Sequence, residues 1–275
     1  MPYIQSKSDT DQQFYYEDFG SGQPIILIHG WPLSSKSWEL QIPALVEAGY
    51  RVIAYDRKGF GKSSVSATGY DYDGLTKDLY EIITQLNLKN LILVGFSMGG
   101  GEVVRYLTNH GADNVDKVAL ISSIIPIVKQ TADNSNGVPE KDLMGILDQV
   151  KTNRVTFLAG FHKNFYNVGL LKHSVSEQQL HYDWSIASHA SPLATIKTAE
   201  SWAGTDFRPE LKNVTVKTLI VHGDADQIVP IDTAGKQAAE GIANNVFKII
   251  KEAPHGLNVT HADELNKILV DFLKD

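Results

Sequence analysis

Six short apolar runs recur along this 275-residue chain with helix-patterned segments between them, and few folds accommodate that rhythm. The runs are Ile25–Ile28, Val52–Tyr55, Leu91–Val94, Val118–Ile121, Leu219–Val221 and Val246–Ile250. Most are apolar throughout rather than alternating, which is the pattern of strands covered on both faces in a parallel sheet. Between them, Leu75, Leu79, Ile82, Ile83 and Leu86 fall on one helical face, as do Leu265, Ile268, Leu269, Phe272 and Leu273. Strands alternating with helices imply an open α/β sheet with right-handed crossovers, whose ligands sit at the carboxyl ends of the strands. Gln13–Phe19, followed by Gly20-Ser21-Gly22, predicts an antiparallel edge strand and a turn into the first buried strand.

The rhythm breaks between about Ile125 and Arg208, where aromatics (Phe157, Phe161, Phe165, Tyr166, Trp184, Trp202) accompany helical patterning and strand runs are few. The strand pattern then resumes at Val216 as though uninterrupted. This favours an inserted helical cap over residues 125–208, on one core formed by residues 1–124 and 209–275, above the alternative of additional core helices. With 43% hydrophobic residues the chain can bury one large core.

Charge and composition exclude several function classes. The formal net charge is −7 and no Lys/Arg cluster is present, so phosphate backbones and anionic lipid are repelled. Neither nucleic acid nor a membrane surface is an expected partner; a small neutral substrate is. The chain has no cysteine, which removes disulfides, thiolate metal sites and a cysteine nucleophile. Met1–Asp11 is polar and the apolar runs are strand-sized, so neither a signal peptide nor a membrane helix is expected and a cytoplasmic location is the default.

The chemistry centres on Gly95-Phe96-Ser97-Met98-Gly99-Gly100, which follows the Leu91–Val94 strand and opens a helical stretch. This is the strand–turn–helix context of a nucleophile elbow, with Ser97 presented at the sheet's carboxyl edge. A serine hydroxyl needs an oriented base. Of nine histidines, His255 stands just after the Val246–Lys251 strand, whereas His29 and His222 each precede a glycine at a strand end and read as structural loop histidines. His110, His162, His173, His181, His189 and His261 belong to no paired motif. The order Ser…Asp…His places the orienting acid in His222-Gly223-Asp224-Ala225-Asp226, where Asp224 and Asp226 compete. Asp224 suits a turn residue after Gly223, leaving Asp226 preferred. Oxyanion donors are expected from the main-chain N–H of Met98 and of Trp31, since Pro32 has none to offer. No metal-ligand spacing is present, and the Gly59-Phe60-Gly61 segment lacks nucleotide-loop spacing and reads as a structural loop.

Five motifs in order, H-G-W-P-L at 29–33, D-R-K-G-F-G-K-S at 56–63, G-F-S-M-G-G-G at 95–101, H-G-D-A-D-Q-I-V-P at 222–230 and A-P-H-G at 253–256, resemble the cofactor-free bacterial haloperoxidases of the α/β-hydrolase superfamily. That group also goes under the names non-haem chloroperoxidase, arylesterase and perhydrolase. The resemblance spans essentially the whole chain. It implies Ser97 as nucleophile, Asp226 as acid, His255 as base, Trp31 and Met98 as oxyanion donors, and Phe161, Phe165 and Ile228 as acyl-pocket walls, with no cofactor. It further implies hydrolysis of small carboxylic esters, formation of peracids with hydrogen peroxide, and a symmetric homo-oligomer. Pro32 beside the oxyanion donor resembles the better perhydrolases, whereas Lys58 stands where an arginine is usual.

The same triad also serves lactonases, amidases and C–C hydrolases, and the fold hosts low-turnover ligand-binding proteins. A serine at the elbow argues against dehalogenase and epoxide-hydrolase chemistry, which need a carboxylate there.

Overall fold

The computed structural model describes residues 2–169 and 174–275. Its eight strands are β1 (Tyr3–Gln5), β2 (Gln13–Gly20), β3 (Pro24–Ile28), β4 (Arg51–Tyr55), β5 (Leu91–Phe96), β6 (Val115–Ile121), β7 (Lys217–Gly223) and β8 (Asn245–Ile250). They form one sheet in the order β1-β2-β4-β3-β5-β6-β7-β8. β2 is antiparallel to both β1 and β4, and every pair from β4 through β8 is parallel. The expected α/β-hydrolase sheet is therefore present, with one correction at its margin. Gln13–Phe19 is not the edge, because β1 pairs outside it with only Ile4 buried. The apolar run ending at Ile250 is the opposite edge, where Ile249 is 48% exposed.

The continuous apolar strands serve two cores. Ile26 and Ile28 of β3 face one core with Leu75, Leu79 and Ile82 of α2 (Tyr72–Gln85) and Val103 and Val104 of α3 (Met98–His110). Ile25 and Leu27 face the other, with Leu45 of α1 (Gln41–Glu47) and, near the C-terminus, Leu265, Leu269 and Phe272. Period-two side chains on a strand wrapped on both sides must be apolar at every position, which accounts for the unbroken runs.

Between β6 and β7 the chain forms α4 (Glu140–Thr152), α5 (Arg154–Phe165), α6 (Glu177–His189) and α7 (Pro192–Gly204). The two ends of this excursion meet: Ile127 pairs with Asp206, and the Phe207 N–H donates to the Pro126 carbonyl at 2.9 Å. The glycine-containing loop after β4 seats α7, since the Ser191 N–H donates to the Gly59 carbonyl at 2.8 Å and a Cβ on Gly59 would meet the Ala194 methyl at 2.4 Å. Beyond β7 follow α8 (Gly235–Gly241), then α9 (Leu257–Thr260) and α10 (Ala262–Lys274) after β8. No helix among the described residues is long and apolar enough to cross a membrane.

Lys58 lies in that seating loop and makes a nearly buried ion pair with Asp78, Nζ to Oδ2 at 2.8 Å. Burial outweighs the lysine and pushes the Asp78 carboxyl up to about 6. Removing only the cation strands the acid. Lys58→Met should cost about 3 kcal/mol in urea unfolding at pH 8, and adding Asp78→Leu should recover most of it. A single variant within about 0.5 kcal/mol of wild type would show that the pair is energetically idle.

Candidate active site

Ser97 sits between β5 and α3 with φ 53° and ψ −118°, a backbone region that non-glycine residues avoid. The turn is tight enough that a Cβ on Gly99 would lie 2.4 Å from the Ile28 carbonyl oxygen, so only glycine lets the helix approach β3 so closely. The Ser97 N–H is held by the Ile121 carbonyl at 2.9 Å. Among the described residues no side chain caps α3, and its first amide, on Met98, has no acceptor. The Trp31 amide likewise bonds to no other group among the described residues.

The turn between β8 and α9 brings His255 to the serine: its Nε2 lies 2.9 Å from Ser97 Oγ, and its Nδ1 lies 2.7 Å from Asp226 Oδ2. The loop after β7 fixes the acid, for Asp226 Oδ1 accepts the N–H groups of Ile228 and Val229 at 2.9 and 2.8 Å. Burial alone would raise this carboxyl, but attraction to His255 and hydrogen bonds from His222 and His255 outweigh it and hold the group well below the ordinary carboxylate range. Asp224 is exposed and instead accepts the Glu252 N–H, tying the β7 and β8 loops together. The geometry thus separates the two acids that spacing left in competition.

Two aromatic rings brace the histidine. Phe96 lies 5.3 Å from its centroid, and Phe165 meets it edge-on at 4.9 Å. Phe165 is accordingly not a pocket wall: it is fully buried behind His255, and the expectation that it lines the cavity beside Phe161 is corrected. Both lie on α5 four residues apart, but the Phe165 ring packs against Phe96 and His255, whereas Phe161 faces the cavity with Lys163 and Asn164 of the same last turns. There the Gly256 N–H donates to the Phe165 carbonyl at 2.9 Å, and Asn167 Nδ2 donates to the Ala225 carbonyl at 2.7 Å. One helix end thereby holds both the base loop and the acid loop.

A cavity of about 620 Å³ opens over Ser97. Trp31, Ile124, Val128, Leu143, Phe157, Phe161, Trp202 and Ile228 give it an apolar wall, with Gln149, Thr156, Lys163, Asn164 and Gln227 as polar points. Phe161 and Ile228 are both among the residues that line it. Trp31 also joins the sheet to α7, since its Nε1 donates to the Thr195 carbonyl at 3.0 Å and its ring lies 5.7 Å from that of Trp202. Among the described residues no three histidine or acidic side chains are grouped to hold a metal ion.

The sequence marks His222 only as a loop histidine, yet its Nε2 lies 2.8 Å from the Val229 carbonyl and 3.3 Å from Asp226 Oδ2. Its spacing of four residues from Asp226 is the only sequence signal that could have marked it. His162 lies buried in α5 and donates from Nδ1 to the Leu158 carbonyl at 2.8 Å, and its Nε2 has no partner among the described residues. His173 lies outside the described residues.

Burial drives the His162 imidazole down to about 4. Below pH 6.5 the unfolded chain takes up a proton here that the folded chain refuses, so stability falls as pH drops from 6.5 to about 4. The loss should reach about 2.4 kcal/mol between pH 7 and pH 4.5, read as the difference between wild type and His162→Leu in urea unfolding. Parallel pH dependence in the two proteins would refute it.

The α/β hydrolase fold family matches residues 23–262. A bromoperoxidase from Bacillus anthracis superposes with a TM-score of 0.93 at 47% identity, covering 96% of each chain. A non-heme haloperoxidase of Rhodococcus erythropolis is 36% identical over 100% of both chains. A bifunctional esterase/perhydrolase of Acinetobacter calcoaceticus is 33% identical, again over 100% of both. Likeness of this extent, end to end, settles kinship: the chain belongs to the α/β-hydrolase family and, within it, to the group of non-heme haloperoxidases, esterases and perhydrolases.

Proposed function

We propose that this protein hydrolyses small carboxylic esters through an acyl-enzyme on Ser97, and that hydrogen peroxide competes with water for that intermediate. The observation carrying the reading is the unbroken chain Ser97–His255–Asp226, at 2.9 and 2.7 Å, on the floor of an apolar cavity of about 620 Å³. Ser97 Oγ attacks the ester carbonyl while its proton passes to His255 Nε2. Asp226, kept ionised, holds the Nδ1–H and stabilises the imidazolium. The oxyanion takes the free N–H groups of Trp31 and Met98, donors fixed before reaction begins. Collapse expels the alcohol, which receives the proton from His255.

Water, deprotonated by His255, then attacks the acyl carbon, releasing the carboxylic acid and returning the proton to Ser97. Hydrogen peroxide in place of water gives a peracid. In solution that peracid oxidises bromide to hypobromous acid and is itself reduced to the carboxylic acid. The esterase/perhydrolase named above, similar over its full length, supports both branches. The stretch 125–208 acts as the cap, since its helices α4, α5 and α7 supply Leu143, Phe161 and Trp202 to the wall. An apolar wall with few polar points suits a neutral acyl or aryl group.

The test uses p-nitrophenyl acetate for hydrolysis and acetate, peroxide and bromide with a bromination-sensitive dye for perhydrolysis, each with wild type and Ser97→Ala. Both activities should depend on the serine. Ester turnover surviving in the alanine variant would contradict the acyl-enzyme, and wild-type hydrolysis without bromination would remove the peroxide branch.

A further inference from the structure

The buried polar chain behind the first loop ends on the peptide unit that carries an oxyanion donor. Gly30 C=O and Trp31 N–H belong to one planar unit, so fixing the carbonyl on one side fixes the N–H on the other. The Gly30 carbonyl accepts from the Leu33 N–H at 3.1 Å and lies 2.9 Å from His29 Nδ1. The Arg57 N–H donates to His29 Nε2 at 3.1 Å. A neutral imidazole that accepts at Nε2 carries its proton on Nδ1, so Nδ1–H is the donor to Gly30 and the longer 3.3 Å approach of Arg57 Nη1 to Nδ1 is not a hydrogen bond. Burial, and then the charge of Arg57, hold this imidazole well below its ordinary range, which keeps it in that neutral form.

The rest of the chain locks the histidine in place. Arg57 Nη2 donates to the His29 carbonyl at 2.7 Å, and Arg57 Nε donates to Glu102 Oε1 at 2.7 Å. Glu102 also accepts from the Tyr55 hydroxyl at 2.8 Å, and both members of the ion pair are almost wholly buried. Glu102 stands on α3, whose first residue is Met98. The pair therefore joins the helix bearing one free amide to the loop bearing the other. The Ser97 hydroxyl, by contrast, hydrogen-bonds to His255 and, among the described residues, to no member of this network.

We propose that His29 is a positioning residue for the oxyanion hole: its Nδ1–H holds the Gly30 carbonyl and so aims the Trp31 N–H at the reacting centre, with Arg57 and Glu102 fixing its orientation. This rests on the acyl-enzyme reading above. It assigns a task to a buried histidine that the proton-transfer steps do not use, and to a charged pair otherwise explained only as core structure.

The test compares His29→Phe, which lacks the donor, with His29→Asn, whose amide N–H can take the place of Nδ1–H. The readouts are p-nitrophenyl acetate kinetics and inhibition by phenylboronic acid, which forms a tetrahedral adduct on an active serine. His29→Phe should lower kcat about 30-fold, less than the 10²- to 10³-fold typical of losing a donor outright. KM should stay within about twofold, and phenylboronic acid should weaken by about the same factor as kcat, because the missing contact is made only to the tetrahedral state. His29→Asn should recover kcat to within about threefold of wild type.

Wild-type kcat and boronate affinity in His29→Phe, or an asparagine variant as impaired as the phenylalanine one, would overturn the proposal. If circular dichroism shows His29→Phe unfolded, His29→Gln replaces it, since its amide reaches the Nε2 position and not Gly30. Its kcat should then lie about tenfold below that of His29→Asn, and equality would overturn the proposal. Wild type that resists phenylboronic acid altogether would overturn the acyl-enzyme reading itself, an outcome distinct from variants that fail to differ.

Discussion

Ser97→Ala is expected to lower kcat for p-nitrophenyl acetate by about 10⁵- to 10⁶-fold, the scale seen when a triad nucleophile is removed. The loss is this large because everything else at the site acts on the bond that Ser97 forms. Among the described residues His255 Nε2 has no hydrogen-bond partner besides Ser97, and in the proposed mechanism the Trp31 and Met98 amides act on an oxyanion that arises only after attack. The fold should survive. The strained φ of 53° is imposed by the elbow's backbone hydrogen bonds and glycine packing, to which the hydroxyl contributes nothing. Thermal unfolding should therefore stay near wild type while the rate collapses. A variant retaining more than about one hundredth of wild-type turnover would mean that another nucleophile is at work.

Asp226→Asn should cost about 10⁴-fold in kcat with little change in KM, and the hydrogen bonds say why. Oδ1 is pinned by two donors, the Ile228 and Val229 N–H groups. An asparagine must keep its oxygen there, since an NH2 group would face two N–H donors. Its NH2 then points at His255 Nδ1, which has to accept rather than donate. The imidazole proton moves to Nε2, the atom that must take the proton from Ser97. The wrong tautomer disables the base while its ring stays in position, braced by Phe96 and Phe165. Loss of pH dependence together with the rate loss would distinguish this from a displaced ring, and kcat within tenfold of wild type would argue against Asp226 as the orienting acid.

Much of this was legible in the sequence because the physics was local or periodic. A strand wrapped on both faces has to be apolar throughout, so β3 to β7 announce themselves, and the elbow needs its glycines wherever it occurs. β1 stayed hidden because three residues with one buried side chain carry no period. The 48%-exposed Ile249 at the opposite edge shows the converse, since an apolar run does not say whether a strand has a second neighbour. Between Asp224 and Asp226 spacing gave only a preference, and the difference lies in the partners each finds after folding, the Glu252 amide for one and His255 for the other.

Cap residues were the least legible. Phe161 and Phe165 share a helical face, and only the neighbours each meets after folding, the cavity for one and Phe96 with His255 for the other, tell them apart. Val128, Val138 and Leu143 reach the wall from an irregular loop and a separate helix, with no repeat to betray them. His29 and His222 look alike in sequence, each before a glycine at a strand end. Folding gives one the Gly30 carbonyl and the other the Asp226 carboxylate.

The most direct test of the central claim is the intact mass of the protein after brief exposure to p-nitrophenyl acetate with acid quenching, followed by peptide mapping. Acyl transfer through Ser97 predicts one acetyl group per chain, located on the peptide containing Gly95 to Gly99, absent in Ser97→Ala and discharged by water or, faster, by hydrogen peroxide. Acetylation elsewhere, or ester turnover with the Ser97 peptide never acylated under any quench, would contradict it.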